Sequence, residues 1–294
     1  MPESTFTIPG RRVKVSRLSK DITLGPVSLR VAERARTATW LERVLGLTSL
    51  GQDRWGGPTG MPLVAAREVP GARRVPPAGR LGLYHYALRL PSRADLGQLL
   101  LHLESLGERW AASDHLFSEA LYLTDPDGIT VEVYADRPRD QWVWRGSDLV
   151  GAIDPLDTAA VVAAAAGGTW RGFPAGGIMG HLHFYVGDLH EASRFYVDAL
   201  GFDVSTRLFP GALFIAAGGY HHHLGLNVWA AHQPVAGPLD AGLDEWTLVL
   251  PLSRDADELV VRANRAEVPV EREDGAWIAV DRWNLRVRIV TENR

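Results

Sequence analysis

Apolar residues recur along the chain in two rhythms. Short β-rich runs at 27–31 and 182–186 are each followed by a stretch with apolar positions at 3.6-residue spacing, 35–44 and 190–200, which predicts a strand and then a helix. Gly46 and Gly201 stand where those two helices should end. Three further strands are predicted after the second helix, at 201–206, 212–217 and 222–229. The same order returns from residue 85, with a strand at 85–90, an amphipathic helix at 93–106 and a strand at 121–123. There follow a turn at Asp125-Pro126-Asp127-Gly128 and a strand at 130–134. Each unit therefore reads β-α-β-β-β.

These units are duplicated. Residues 24–47 align without a gap on 179–202 at an offset of 155, matching Gly25 with Gly180 and Leu45-Gly46 with Leu200-Gly201. Residues 82–91 align on 242–251 at an offset of 160, both opening with Gly-Leu and closing with Leu-Pro. Repeated units should share one fold, so the pattern predicts an α+β chain of four βαβββ modules paired into two tandem domains. The expected layout is an N-terminal extension over 1–20, a first domain over 21–145, a linker over 146–175 and a second domain over 176–294. The linker is marked by Pro155, an Ala-rich helix at 159–166 and a Gly/Pro-rich stretch at 172–177.

Composition narrows the chemistry. The chain has no cysteine, so any metal must be held by His, Asp, Glu or Tyr, a set suited to iron, manganese or zinc. A net charge of −4 gives no footing for a nucleic-acid partner. No run of about 18 apolar residues predicts a membrane span. Residues 1–18 lack the apolar centre of a secretory signal, so the expected compartment is the cytoplasm.

The densest chemical segment is 113–138. It holds His115, then Tyr122, the Asp125–Gly128 turn, and Glu132 on the returning strand. The turn sets the Tyr122 and Glu132 strands side by side, and Val131 and Val133 flank the carboxylate on the opposite face. His85 opens the first strand of the same module. A histidine and a glutamate on two strands of one curved sheet are a common way to build part of a 2-His-1-carboxylate iron site.

These residues resemble a known family. The order His115, Leu121, Tyr122, Asp125-Pro126-Asp127-Gly128, Glu132 is similar to the signature of extradiol ring-cleaving dioxygenases. It resembles in particular the two-domain catechol-2,3-dioxygenase-like branch of the vicinal-oxygen-chelate (glyoxalase/bleomycin-resistance/extradiol dioxygenase) superfamily. Ser113 departs from that signature, whereas segments 83–96 and 218–229 also resemble the branch. The resemblance implies glyoxalase-like domains with cup-shaped mixed sheets and a non-haem Fe(II) site, with Mn(II) or Zn(II) as alternatives. It also implies a small catechol-like aromatic substrate and dioxygen as co-substrate, while the sequence leaves a homo-oligomer open. His85 and Glu132 would be metal ligands, Tyr122 would orient the substrate, and His115 would be the acid/base group.

One ligand is missing from the first half. The family's first histidine follows a glycine on the first strand. Gly180-His181 supplies that pair in the second half, but Gly25-Pro26 stands there in the first, and proline cannot ligate. In the second half Glu132 aligns with Arg288, Tyr122 with Ile278 and His85 with Glu245. A rebuilt site there would draw on His181, His221, His223 and Glu245. Pro26 and Arg288 therefore also motivate two other readings. One is a metal-free isomerase, cyclase or lyase of the same superfamily, with no cofactor and His115 and Glu132 as acid and base. The other is a non-catalytic protein that binds a small aromatic molecule.

Overall fold

The computed structural model describes residues 17–292, together with the backbone of two short paired strands, Phe6–Ile8 and Arg11–Val13. The rest of the expected extension, 1–5, 9–10 and 14–16, lies outside the described residues.

Sixteen strands form the two main sheets. The first module contributes β1 (Thr23–Val31), α1 (Arg34–Arg43), β2 (Thr48–Gly51), β3 (Arg54–Gly56) and β4 (Pro62–Glu68). The second contributes β5 (Gly82–Arg89), α2 (Arg93–Leu106), β6 (Ala111–Asp114), β7 (Ser118–Thr124) and β8 (Thr130–Asp136). A linker helix, α3 (Thr158–Ala164), leads to the third module. That module holds β9 (Ile178–Tyr185), α4 (Leu189–Ser193), β10 (Asp203–Thr206), β11 (Ala212–Ala216) and β12 (Leu224–Asn227). The fourth holds β13 (Gly242–Leu250), α5 (Ser253–Arg265), β14 (Glu271–Glu273), β15 (Ala276–Val280) and β16 (Arg286–Thr291). The predicted helix at 93–106 forms over that span. The Ser92 hydroxyl accepts from the Asp95 amide at its start, and Gly107 takes the left-handed conformation (φ 65°) that ends it. The helix predicted at 190–200 is α-helical only through Ser193 and then widens to a π-helix over Arg194–Ala199.

The modules do not pair as neighbours in sequence. One eight-stranded sheet runs β10-β11-β12-β9-β5-β8-β7-β6 and so joins the third module to the second. The other runs β14-β15-β16-β13-β1-β4-β3-β2 and joins the fourth to the first. The expectation that 21–145 would close one cup and 176–294 the other is corrected here. β5 hydrogen-bonds antiparallel to β9, and β1 to β13, so each sheet takes one module from each half of the chain. A continuous apolar core runs between the two sheets, including Leu29, Leu88, Phe184 and Trp246.

The duplication extends to atomic detail at two turns. Asp125 Oδ1 accepts from the amides of Asp127 and Ile129, both at 2.8 Å. Asp281 Oδ1 accepts from Trp283 at 2.8 Å and Leu285 at 2.9 Å. Gly128 (φ 85°) and Asn284 (φ 61°) occupy the left-handed position of each turn. Burial pushes Asp125 up to about 7 and Asp281 up to about 6, against backbone hydrogen bonds that favour the charged form. A carboxyl raised in the folded state keeps its proton where the unfolded chain has lost it. Its contribution to stability is therefore complete below about pH 4 and is lost as pH rises through 6 to 7. Replacing both residues with asparagine, which keeps the Oδ1 acceptor, should remove this loss. Urea unfolding at pH 4 and pH 7.5 should show a wild-type decline exceeding that of the double variant by on the order of 2–4 kcal/mol. Equal declines would show that neither carboxyl holds its proton in the fold.

Candidate metal centre and substrate cavity

The second and third modules bring three ligand-type side chains to one point. In register, His181 on β9 stands opposite Ala87 on β5, and Ala87 stands beside Glu132 on β8. His85, two residues before Ala87, shares its face. The fully buried Ala87 methyl leaves room for the side chains of both flanking strands to meet over it. Glu132 Oε2 lies 3.1 Å from Nε2 of His85 and 3.1 Å from Nε2 of His181. The three donor atoms fall within 4.8 Å of one another, and all three residues are buried.

This arrangement fits a metal ion better than a hydrogen-bonded cluster. Two ligands about 2.1 Å from a metal and at right angles to each other stand about 3.0 Å apart. The His85 ring makes no protein hydrogen bond of good geometry through either nitrogen, and His181 Nδ1 makes none. Buried imidazole nitrogens left in this way signal a ligand. Burial favours the neutral form of Glu132, but His181 and His85 outweigh it and hold the carboxyl well below its usual range. Burial lowers His181 to about 4. The donor set is thus one carboxylate and neutral imidazole, ready for a cation.

Around this floor lies a cavity of about 370 Å³. Tyr122, directly opposite Glu132 in the β7–β8 hairpin, faces into it, as does His115. His115 Nδ1 donates to the Ala152 carbonyl at 2.8 Å. In the neutral ring Nε2 then accepts from the Tyr122 hydroxyl at 2.7 Å. Burial and the nearby Glu132 raise Tyr122 well above the ordinary phenol value, so its proton stays on.

His222 enters the cavity from the loop before β12, its ring centroid 4.1 Å from that of His181. His221 Nε2 donates to Asp136 Oδ1 at 2.9 Å. Its Nδ1 then accepts from His222 Nδ1 at 2.7 Å, which leaves Nε2 of His222 as an acceptor. Burial holds His222 well below the ordinary histidine range, so it is neutral. His183 also lines the cavity, with Nε2 accepting from Asn227 Nδ2 at 2.9 Å. Strand alternation puts His183 on the same face as His181, although neither His183 nor His222 is among the expected ligands. His222 sits in a loop where alternation does not apply, and His183 carries no partner residue in its own module.

The expected second-half site does not assemble. His181 belongs to the cluster above. His221 is tied to Asp136, and His223 Nδ1 accepts from the Ala217 amide at 3.2 Å. Glu245 lies on β13 in the other sheet, bonded to Arg286 Nε at 2.8 Å and Arg288 Nε at 2.6 Å. The cause is again the module pairing. His181 is equivalent to Pro26, His85 to Glu245 and Glu132 to Arg288. Each sheet takes one of each pair, so one cup holds His181, His85 and Glu132 while Pro26, Glu245 and Arg288 all fall in the other.

Comparison with known proteins gives the family of these repeats. A family model described as Glyoxalase/Bleomycin resistance protein/Dioxygenase superfamily matches residues 23–133 and 178–277. The chain is 36% identical over 274 residues to the catechol-2,3-dioxygenase of Bacillus subtilis (strain 168), covering 91% of this chain and 96% of that protein. Its fold superposes on a candidate dioxygenase from Bacillus subtilis subsp. subtilis str. 168 with a TM-score of 0.64 at 12% identity, covering 95% and 87% of the two chains. On glyoxalase I from Zea mays it superposes with a TM-score of 0.52 at 14% identity, covering 92% of each. With two matched repeats and a close relative along nearly its whole length, the chain belongs to the Glyoxalase/Bleomycin resistance protein/Dioxygenase superfamily.

Proposed function

We propose that this protein is an extradiol dioxygenase that opens a catechol-type ring, with a divalent metal held by His85, His181 and Glu132. The observation that carries the reading is the convergence of Nε2 of both histidines on Glu132 Oε2, 3.1 Å each, at the floor of an apolar cavity. Identity to a catechol-2,3-dioxygenase supports it. Two imidazoles and a carboxylate suit Fe(II), and also accept Mn(II) or Zn(II). The bound metal would supply the electron transfer that lets dioxygen react with the diol. In the balanced reaction one ring carbon–carbon bond beside the diol breaks, and both oxygen atoms of O₂ end in the product.

The chain's own residues bind the diol and move its protons. Tyr122 gives its hydrogen to His115, so its oxygen faces the cavity as an acceptor for a substrate hydroxyl. A proton taken there can pass on to His115 Nε2, which keeps His115 in an acid/base role through Tyr122. His222 is a second acceptor, and the charge it gains is stabilised through His221 by Asp136. The metal-free alternative loses its motive, because Pro26 and Arg288 belong to the other sheet.

Elemental analysis after anaerobic Fe(II) loading should find about one metal per chain in the wild type and almost none in Glu132→Ala. The loaded wild type should consume one O₂ per catechol opened. No retained metal, or no oxygen uptake with any diol, would sink the proposal.

A further inference from the structure

We infer that the diol accepted by this cavity carries an uncharged apolar substituent, selected by Ile153, Phe209 and Trp229. This inference rests on the diol-binding floor proposed above. That floor is polar, with Glu132, Tyr122 and the histidines gathered at one end. The remaining wall is not. No lysine or arginine lines the cavity among the described residues, and its ionisable groups are histidines, tyrosines and Glu132. A carboxylate on the substrate would lose water here without meeting a cation, and would share the cavity with Glu132.

The apolar wall is built deliberately. Ile153 comes from the linker between the two halves. The amide of Asp114 donates to the Asp154 carbonyl at 2.8 Å, and that of Asp154 donates to Asp114 at 3.0 Å. These bonds lay the linker along the outer edge of β6 and bring Ile153 to the cavity. Trp229 is fixed from two sides. Its backbone amide donates to Asn227 Oδ1 at 3.0 Å, and its indole Nε1 donates to the Pro210 carbonyl at 3.1 Å. Its ring stands edge-on to Tyr84, with centroids 6.2 Å apart. Phe209 packs on Phe214, centroids 5.1 Å apart. A Cβ at Gly151 would come within 2.7 Å of Phe117 and 2.9 Å of Phe209, so glycine there lets the linker press onto both rings.

Ile153 is nevertheless 67% exposed and Trp229 48% exposed. Large apolar side chains held in water at the rim of a polar-floored cavity mark a binding surface. The volume of about 370 Å³ lies within the 300–1,000 Å³ typical of small-molecule sites. A diol ring on the floor therefore leaves its far substituent against Ile153, Phe209 and Trp229.

The test is calorimetric binding to the anaerobic Fe(II)-loaded protein, without turnover. The probes are 4-methylcatechol, 4-propylcatechol and 3,4-dihydroxybenzoate, each with wild type and Ile153→Arg. Because Ile153 is exposed, the substitution leaves the fold intact. Affinity should rise roughly three- to fourfold per methylene from methyl to propyl. Dihydroxybenzoate should bind at least about tenfold more weakly than 4-methylcatechol, and Ile153→Arg should shrink that gap severalfold. Equal or tighter binding of dihydroxybenzoate by the wild type, or an unchanged gap in the variant, would overturn the inference. Binding of none of the three diols would bring down the dioxygenase reading and this inference with it.

Discussion

Replacing His181 with alanine is expected to abolish metal retention and ring cleavage, although His181 lies 49 residues beyond Glu132 and in the opposite half of the chain. Its Nε2 supplies one of the three donors that converge on one point, and His222, whose ring lies beside it, is not among them. His183 is held by Asn227, and His221 by Asp136. Loss of hydrogen-bonded support behind a ligand typically costs 10–100-fold in metal affinity or activity, so loss of the ligand itself should cost more, at least about 10³-fold. Glu245→Ala is the matched control. Glu245 belongs to the Arg286–Arg288–Glu273 ion-pair network of the other sheet, so its removal should leave metal content unchanged. Metal titration of both variants separates the alternatives. Retention of metal by His181→Ala with loss in Glu245→Ala would place the centre in the other cup.

The contrast between these two residues shows what the sequence could reveal. His85, His115, Tyr122 and Glu132 were all legible because one module brings them together through local pairings. The Asp125–Gly128 turn closes the β7–β8 hairpin and sets Glu132 against Tyr122, while β8 runs parallel to β5. The helix at 93–106 was equally legible, since its caps and apolar spacing are local. His181 was visible as a strand histidine after a glycine, but its partners were not. They follow from the pairing of β5 with β9 across about 95 residues, and no periodicity encodes which module docks on which. The same ignorance made Pro26 look like damage to a working site. Once modules are exchanged between halves, Pro26, Glu245 and Arg288 fall together in a cup that carries paired charges. In a duplicated chain whose two cups each borrow from both halves, residues that share one half of the sequence need not share one cup.

That exchange also explains why Gly180 cannot grow a side chain. In the β9–β5 ladder Met179 pairs with Leu88 and His181 with Ala87, so Gly180 is the extra residue of a bulge. The bulge turns β9 so that His181 faces the floor instead of pairing in simple alternation. A Cβ on Gly180 would lie 2.1 Å from Tyr134 Oη and 2.7 Å from two carbons of that ring. Tyr134 has little freedom to retreat. It is fully buried, and its hydroxyl is 2.7 Å from that of Tyr220, which in turn donates to Asp136 at 3.1 Å. Gly180→Ala should therefore destabilise the fold by about 1–3 kcal/mol or more, as overpacking does, and weaken metal binding at least about tenfold by displacing His181. Adding Tyr134→Phe removes the 2.1 Å contact but keeps the ring carbons, so it should restore part of the stability and part of the affinity. Chemical unfolding and metal titration of the single and double variants read both effects. Wild-type metal affinity in Gly180→Ala would mean that the bulge does not position His181, and the strand pairing, not the glycine, would then carry the geometry of the centre.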